Sequence, residues 1–298
     1  MPATSANLGP GFDSFGLALA LYDDVVVRVA ESGLVVDVAG EGADDVRRDK
    51  RHLVVQAVRA TFDVLGGQPR GLEVVCANHI PHGRGLGSSA AAIVAGILGA
   101  RELVLGGAER LPDDAMLRLA TQLEGHPDNV AACLSGGFTM AWQEAGTTGG
   151  PGLLTRSLHL DVHESIAVVV FVPETKSSTA KARKMLPDTI PHDAAAANAA
   201  RAALLTQALT RRPDLLNVST EDALHQTYRA SAMPRSAALM GRLREAGIAA
   251  VISGAGPSVL ALTTTASADA VAEFDTRWFT AMRLAIDTQG ARVLALRG

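Results

Sequence analysis

The chain has 298 residues, of which 48% are hydrophobic and 19% charged, and its formal net charge is -4 at pH 7. This composition is typical of a globular protein that can bury the core of two modest domains or one large one. No long basic stretch occurs, which argues against a nucleic-acid partner. The most apolar run, 90–105, contains Arg101 and Glu102 and is too short to cross a membrane.

The N-terminal stretch 2–19, P-A-T-S-A-N-L-G-P-G-F-D-S-F-G-L-A-L, is rich in turn-forming residues. Asn7, Gly9, Gly11 and Asp13 predict a turn, because asparagine and glycine tolerate positive φ and short polar side chains bond to the nearby backbone. From these residues alone, turn formation explains Asn7 and Asp13 better than ligand binding does.

Strands and one helix are predicted between this turn and residue 78. The stretches 25–29 and 34–38 are rich in valine and predict two strands. Leu53–Leu65 has apolar residues at helical spacing and is followed by Gly66, so it predicts a helix with a glycine stop. Apolar residues at alternate positions of 72–76 predict a further strand.

A glycine-rich stretch, Pro81 to Ala92, follows that strand and leads into an alanine-rich helical run to Leu105. It carries three glycines at alternate positions and then two serines: Gly83, Gly85, Gly87, Ser88 and Ser89. A strand, a glycine-rich loop and a helix suit a phosphate, because a ligand can approach glycine closely and a helix start presents free N–H groups. The stretch is neither a Gly-Lys-Ser/Thr phosphate loop nor a dinucleotide fingerprint. The alternative is a flexible hairpin before a core helix.

Polar side chains gather where one predicted helix ends and the next begins. The helix predicted over 112–124 stops at Gly125, and Pro127 is placed in the first turn of the next helix. The junction brings together two carboxylates, an imidazole and an amide: Glu124, His126, Asp128 and Asn129. Such a set suits a metal–phosphate and substrate site, although helix capping explains Asp128 about equally well.

A Gly/Thr-rich linker is predicted at 145–152, after a strand at 138–142, and we place a domain boundary there, with domains 1–148 and 149–298. The second half predicts helices at 179–186, 194–209, 220–228, 236–246 and 266–279, and strands at 166–172, 249–253, 259–263 and 291–296. The order helix, strand, turn, strand, helix, strand at its end fits a ferredoxin-like half.

Three stretches together resemble the superfamily of galactokinase, homoserine kinase, mevalonate kinase and phosphomevalonate kinase, the GHMP kinases. They are 2–19, Pro81 to Ala92, and 253–262, S-G-A-G-P-S-V-L-A-L. The resemblance covers essentially the whole chain, and the first stretch is specific to the homoserine kinase branch. It implies an α+β, two-domain GHMP kinase fold, with an N-terminal ribosomal-protein-like βα domain that binds ATP and a C-terminal ferredoxin-like domain.

The resemblance also implies where ATP and Mg²⁺ would bind. The ATP-binding residues would be Pro81, His82, Gly83, Arg84, Gly85, Leu86, Gly87, Ser88, Ser89, Ala90 and Ala91. Ser89 and Glu124 would hold Mg²⁺, although in some relatives the metal carboxylate lies further upstream of the His-x-Asp-Asn stretch. The adenine pocket is the least defined part, because the family often has Asn-Leu-Val where this chain has His52-Leu53-Val54.

The residues implied to bind the substrate L-homoserine are Asn7, Asp13, His126, Asp128, Thr179, Arg183 and Arg229. Asp13 would face the ammonium and the two arginines the carboxylate. Asp13 and Asn129 are the catalytic candidates, with Asn129 near the hydroxyl. A general base stays open between Asp13 and Asp128, and we favour positioning, because a carboxylate paired with an ammonium is a poor base.

The implied activity is ATP-dependent phosphorylation of the L-homoserine hydroxyl, giving O-phospho-L-homoserine and ADP in threonine biosynthesis. The alternatives are another small-molecule kinase of the superfamily, of the mevalonate or shikimate type, and a non-catalytic nucleotide-binding regulatory paralogue. Mevalonate has no ammonium with which Asp13 could pair. Cys76 and Cys133 lack metal-ligand neighbours and predict reduced, buried thiols in a cytoplasmic protein. No membrane partner is expected, and a homodimer is left open.

Overall fold

The computed structural model describes residues 1–145, 153–274 and 277–294. Its strands are β1 Pro2–Ala6, β2 Phe15–Tyr22, β3 Asp24–Ala30, β4 Gly33–Gly40, β5 Gly71–Asn78, β6 Phe138–Ala145, β7 Leu153–Leu160, β8 Ile166–Pro173, β9 Ala249–Ile252, β10 Val259–Thr264 and β11 Phe279–Leu284. Its helices are α1 Leu53–Leu65, α2 Ser88–Glu102, α3 Gly107–Arg110, α4 Asp113–Glu124, α5 Asp128–Ser135, α6 Thr179–Arg183, α7 His192–Thr210, α8 Leu216–Ser219, α9 Gln226–Arg229, α10 Pro234–Glu245 and α11 Ala268–Ala272. No helix in these three ranges is long and apolar enough to cross a membrane.

The first sheet has the strand order β1-β2-β6-β7, and each neighbouring pair is antiparallel. Its core residues Leu17, Leu19 and Phe138 are fully buried. Helix α5 lies so close to β2 that a Cβ at Gly16 would overlap the carbonyl oxygen of Asp128. This contact places the start of α5 next to the turn between β1 and β2.

The second sheet has the order β3-β5-β4, with β5 antiparallel to β3 and parallel to β4. Helix α1 covers it with Val54, Val58 and Phe62 in a common apolar cluster. Helix α1 also packs on α2, where a Cβ at Gly96 would come within 2.6 Å of the Ala57 Cβ. Strand β5 therefore delivers the chain to the glycine-rich loop, and α2 carries it away beneath α1.

The third sheet is antiparallel and has the order β11-β8-β10-β9. When its strands are numbered within the sheet, this order is 4-1-3-2, the ferredoxin-like arrangement. Val169 of the central strand β8 packs in the apolar cluster that contains Leu239 of α10 and Val271 of α11. Val168 and Val170 face the other way and join the cluster that contains Leu17 of β2. The two halves of the chain thus share one core.

The helix predicted over 220–228 is wrong, because only Gln226–Arg229 is helical in that stretch. The cause is Asp222, whose carboxylate accepts the backbone N–H groups of Leu224, His225 and Gln226. Such local side-chain bonds offer the backbone an alternative to helical hydrogen bonds. They hold 222–225 in a tight turn before α9.

The helix predicted over 266–279 is also wrong, because α11 ends at Ala272 and Phe279 begins β11. Phe279 pairs with Pro173 of β8 and is buried, so tertiary burial overrides the local helical pattern. The last strand, predicted over 291–296, is absent from its described part, 291–294, and 295–296 lie outside the described residues. Strand β11 takes the sheet edge instead.

The predicted boundary between residues 148 and 149 lies outside the described residues. Strand β7 follows this boundary and pairs along its whole length with β6. Residues 153–160 therefore belong to the first sheet. The boundary stays a prediction, and the sheet pairing favours a division after Leu160.

Candidate active site

The glycine-rich loop joins the end of β5 to the start of α2, as the sequence predicts. Gly87 immediately precedes this 15-residue helix and has a φ of 70°. The first turn of a helix has no internal partners for its N–H groups, and its end carries the positive pole of the helix dipole. The loop therefore offers an anion the donors and the field that phosphate requires.

Glycine is required in this loop by packing as well as by ligand approach. A Cβ at Gly87 would overlap the Thr4 hydroxyl oxygen, and a Cβ at Gly85 would overlap the Ser253 carbonyl oxygen. The Thr4 amide donates to the Leu86 carbonyl at 3.0 Å, and the Ser253 hydroxyl donates to the Gly85 carbonyl at 2.6 Å. The three stretches 2–19, 81–92 and 253–262 are thus hydrogen-bonded into one unit.

Arg84 is part of this loop, but its side chain is engaged by the protein. Its guanidinium donates to the carbonyl oxygens of His82, Pro173 and Glu174 at 2.7–2.9 Å. The side chain therefore fastens the loop to the end of β8.

Ser89 and Glu124 face each other across the loop, and the Ser89 hydroxyl donates to Glu124 Oε2 at 2.7 Å. Burial raises the pKa of Glu124, against the opposite effects of Ser89 and His126. A half-buried carboxylate next to a hydroxyl oxygen fits a hard cation, which prefers oxygen ligands. No group of three or more His, Cys, Asp or Glu side chains in the described ranges forms a metal site by itself.

The start of α5 brings His126, Asp128 and Asn129 together. His126 Nδ1 lies 3.0 Å from Asp128 Oδ1, and this hydrogen bond is the largest cause of a raised pKa at His126. Asp128 Oδ1 also accepts the Asn129 amide N–H at 2.7 Å, and the Thr4 hydroxyl donates to Asn129 Oδ1 at 2.7 Å. Asp128 is the first residue of α5 and forms no side-chain cap, so the capping explanation is wrong. Its Oδ1 bonds instead to the His126 imidazole and to the backbone N–H of the next residue.

The turn between β1 and β2 has positive φ at three residues other than glycine: Asn7, Leu8 and Asp13. Asn7 is buried, donates to the Gly254 carbonyl at 2.9 Å and accepts the Asp13 amide N–H at 3.0 Å. Turn chemistry is thus confirmed for Asn7. Residues other than glycine at positive φ are uncommon and are found often at functional sites.

Asp13 pairs with Arg183, which lies 170 residues away in the chain, through two hydrogen bonds of 2.9 and 2.6 Å. The family resemblance implies that these two residues bind opposite charges of a ligand, whereas in the structure they bind each other. Arg229 is buried, and its Nε donates to the Ala182 carbonyl at 3.3 Å. Arg229 forms no ion pair with a carboxylate of the described ranges, and burial lowers its pKa.

Phe12 organises both arginines. The guanidinium carbons of Arg183 and Arg229 lie 5.6 and 5.4 Å from the centre of its ring. A guanidinium is attracted to an aromatic ring at this distance, so Phe12 helps to hold both cations near the cleft.

One cleft of about 150 Å³ is lined by most of the predicted site residues. They are Asn7, Asp13, Gly83, Gly85, Gly87, Ser88, Ser89, Glu124, His126, Asp128, Asn129, Thr179, Arg183 and Arg229. The predicted residues that do not line it are Pro81, His82, Arg84, Leu86, Ala90 and Ala91. Leu86, Ala90 and Ala91 are buried and support the loop from behind.

A second cleft, of about 340 Å³, shares Gly83, Ser88 and Ser89 with the first. His82 and the buried His52 line it, and no partner is found for Nδ1 of His52 in the described residues. Burial lowers the pKa of His52, so its imidazole is a neutral hydrogen-bonding group facing a largely apolar cleft. A flat heterocycle with polar edges matches such a lining.

Sequence reasoning missed three residues that shape the first cleft: Thr4, Phe12 and His225. Thr4 joins the loop to Asn129, and Phe12 carries the arginines. Both lie in the quoted N-terminal stretch, where the sequence gives only an aromatic and a hydroxyl among turn residues. His225 has one local partner, Arg229 four residues later, and one remote partner, the carbonyl of Gly9, which the sequence does not reveal.

A phosphate-type loop at a cleft between a βα half and a ferredoxin-like half defines a class of phosphoryl-transfer enzymes. The family models for the GHMP kinases N terminal domain and the GHMP kinases C terminal match residues 52–137 and 196–277. The chain therefore belongs to the GHMP kinases, and within them to the homoserine kinases, as the following relatives show.

The homoserine kinase of Streptomyces avermitilis is 60% identical over 99% of this chain and 95% of its own length. The homoserine kinase of Clavibacter michiganensis subsp. michiganensis is 50% identical over 98% of this chain and 92% of its own. The crystal structure of homoserine kinase from Cytophaga hutchinsonii has a TM-score of 0.82 at 27% identity, covering 97% of this chain and 94% of that one. These likenesses span both halves and confirm the two-domain GHMP kinase fold.

Proposed function

We propose that this chain transfers the γ-phosphoryl group of ATP to the hydroxyl of L-homoserine, giving O-phospho-L-homoserine and ADP, a step of threonine biosynthesis. The observation that supports it most is one cleft in which a glycine-rich helix start meets Asp13, Arg183 and Arg229. The first feature suits a phosphate, and the second suits an amino acid with an ammonium and a carboxylate. The free, buried thiols of Cys76 and Cys133 fit a cytoplasmic location.

The two clefts divide the ATP molecule between them. The glycine-rich loop takes the phosphates, and the cleft lined by His52 takes the nucleoside. Both clefts are lined by Gly83, Ser88 and Ser89, which would then lie near the junction of the phosphates and the nucleoside. Arg84 donates to three backbone carbonyl oxygens, so we propose that it supports ATP binding by keeping the loop in shape and not by contacting the phosphates.

Ser89 and Glu124 would hold Mg²⁺ through their oxygens, which already lie 2.7 Å apart. When bound, the ion would neutralise phosphate charge, which is the main requirement of phosphoryl transfer. The raised pKa of Glu124 supports this role, because a carboxylate that burial disfavours in its charged form gains most from a nearby cation.

The substrate exchanges partners with an ion pair that the protein already contains. The homoserine ammonium would pair with Asp13, and its carboxylate with Arg183 and with Arg229, which has no carboxylate partner among the described residues. A planar guanidinium matches a carboxylate with two parallel bonds. A zwitterion can replace both partners of the Asp13–Arg183 pair at once, whereas a ligand with a single charge leaves one of them without a counterion.

The protein contributes positioning more than proton abstraction. Both oxygens of Asp13 are engaged by Arg183, and Asp128 is engaged by His126 and the Asn129 amide. Asn129, whose Oδ1 accepts a hydrogen bond from the Thr4 hydroxyl, would orient the substrate hydroxyl. Alignment of hydroxyl and phosphate in a site that supplies positive charge accounts for most catalysis in this reaction class.

The proposal is tested by measuring ADP release in separate assays with homoserine, mevalonate or shikimate as the acceptor. We expect ATP- and Mg²⁺-dependent ADP release with L-homoserine, and only background release with the other two. Release with mevalonate or shikimate but not homoserine would assign another small-molecule kinase. ATP binding without release for any acceptor would support the regulatory paralogue.

A further inference from the structure

Arg229 is held by a histidine that has no solvent-exposed surface. His225 Nδ1 lies 3.3 Å from Arg229 Nη1, and His225 Nε2 lies 2.9 Å from the Gly9 carbonyl oxygen. The imidazole also stacks on Phe12, with ring centres 5.2 Å apart and planes 27° apart. One buried ring therefore contacts the N-terminal turn at two points and the guanidinium at a third.

These partners determine where the ring carries its hydrogen. A carbonyl oxygen only accepts, so Nε2 carries the hydrogen and donates to Gly9. A guanidinium only donates, so Nδ1 is unprotonated and accepts from Arg229. A doubly protonated ring would set one N–H group against another at Arg229.

The charged groups around the ring agree with a neutral imidazole. Burial is the largest influence and lowers the pKa of His225, and the charge of Arg229 acts in the same direction. Asp222 and Asp13 oppose them. Asp222 Oδ2 is 3.7 Å from Nε2, but its carboxylate already accepts three backbone N–H groups of the turn before α9.

We propose that His225 is a positioning residue that fixes Arg229 relative to the turn carrying Asp13, as a ring with its hydrogen on Nε2. Homoserine carries its ammonium and carboxylate on one carbon, so the carboxylate of Asp13 and the guanidinium of Arg229 must lie at a set separation. The imidazole provides that separation, because Gly9 and Phe12 belong to the same turn as Asp13. The expected effect of His225 on the homoserine KM rests on the proposed function, whereas the Nε2-protonated state of its ring does not.

The first test is ¹⁵N NMR of the histidine-labelled full chain without ligand, with His225→Gln to assign the ring signals. We expect His225 to show the Nε2-protonated tautomer and no titration between about pH 5.5 and 8. A ring that titrates in this range, or that carries its hydrogen on Nδ1, would overturn the proposal. This result does not depend on which acceptor the enzyme uses.

The second test compares kinetics of two variants. His225→Phe keeps a ring to stack on Phe12 and removes both nitrogens, so the KM for homoserine should rise about tenfold or more, while the KM for ATP changes less than about twofold. His225→Gln supplies one donor and one acceptor and should recover part of the loss. An unchanged homoserine KM in both variants, or equal losses for both substrates, contradicts the role. If the phenylalanine variant does not fold, the glutamine variant and the NMR result still decide.

Asn198→Leu is the matched control. Asn198 donates to the Pro10 carbonyl at 2.9 Å and accepts the Ala223 amide N–H at 3.1 Å, so it joins the same turn to the same segment without contacting Arg229. We expect Asn198→Leu to lower Tm about as much as His225→Phe does, but to raise the homoserine KM less. Equal rises in KM for the two variants at equal Tm would show that anchoring of the turn alone is enough, against the proposal.

A wild-type enzyme that is inactive on homoserine would refute the proposed function, and the NMR result on His225 would still stand.

Discussion

At the scale of single residues, the ion pair formed by Asp13 and Arg183 provides the two opposite charges that we propose the substrate engages. Asp13→Asn keeps the shape of the side chain and removes its charge. We expect the homoserine KM to rise about tenfold, a modest effect because both partners are about one-third exposed. Steady-state kinetics measure it, with ATP affinity unchanged and the exposed Asp193→Asn as a control. A collapse of kcat at unchanged homoserine KM would instead make Asp13 a base.

A substitution at Glu124 can distinguish a role in catalysis from a role in stability. Because burial raises its pKa, the charged form is unfavourable in the fold, and Glu124→Gln should be at least as stable as the wild type at neutral pH. A neutral amide is a poorer ligand for a hard cation, so kcat should fall about tenfold or more and the Mg²⁺ requirement should rise. A Mg²⁺ titration of activity measures this against the exposed Glu109→Gln. An unchanged Mg²⁺ dependence would place the metal elsewhere.

His126 makes part of the stability dependent on pH. Its folded pKa is raised above the ordinary value of 6.5, chiefly by the hydrogen bond to Asp128. The stabilisation is therefore fully present below that ordinary value and is lost as pH rises through the raised folded pKa. Unfolding in denaturant should show a larger advantage of wild type over His126→Gln at about pH 5.5 than at about pH 8.5. An advantage that grows with pH would contradict the pairing.

The residues of the site could be predicted from the sequence as a set, but their pairing could not. Asp13 lies in one of the three stretches that carry the family resemblance, and Asp128 and Arg183 are implied by it, so their presence at one cleft follows from the resemblance. The bond between Asp13 and Arg183 joins segments 170 residues apart and depends on the fold of both halves. The spacing of His225 and Arg229, four residues apart, is visible in the sequence, but the bond from His225 to Gly9 joins segments 216 residues apart.

At the scale of elements, the junction of β5, the glycine-rich loop and α2 is the part that the sequence predicts best. Its signals are local: alternating apolar residues, closely spaced glycines and an alanine-rich helix. The helix predictions at 220–228 and 266–279 are wrong because the structure of these stretches does not depend on the local apolar pattern. Asp222 captures the backbone of its own turn, and Phe279 is drawn into a sheet by β8. Local pattern is overridden where side-chain hydrogen bonds or tertiary burial compete with it.

The loop itself gives a prediction about stability. Gly87→Ala adds a side chain at positive φ and overlaps the Thr4 hydroxyl oxygen, so we expect a loss of about 1–3 kcal/mol together with loss of ATP binding. Gly33→Ala is the matched control, because Gly33 has a φ of 80° with nothing within 4 Å of its added Cβ. Denaturant unfolding and calorimetry with ATP compare them. Equal losses of stability in Gly87→Ala and Gly33→Ala would mean that the contact with Thr4 does not matter. Wild-type ATP affinity in Gly87→Ala would mean that the loop is a connecting hairpin and does not bind phosphate.

At the scale of the whole molecule, the two halves share a core and build one cleft between them. The first half supplies the loop, Glu124 and Asp13, and the second supplies Arg183 and Arg229. A small-molecule site at such a junction is common, because convergent polar groups can be held by two separate supports. The central claim is that this junction recognises both charges of an amino acid whose hydroxyl is phosphorylated.

The most direct measurement is kcat/KM for L-homoserine and for its amide, in wild type and in Arg183→Leu. The amide keeps the ammonium and the hydroxyl but leaves the arginines without a carboxylate, which costs about 2–5 kcal/mol for buried pairs. We predict that wild type prefers the acid by about thirtyfold or more and that Arg183→Leu narrows this preference while ATP affinity is preserved. Equal use of acid and amide by wild type, or an unchanged preference in the variant, would contradict the account.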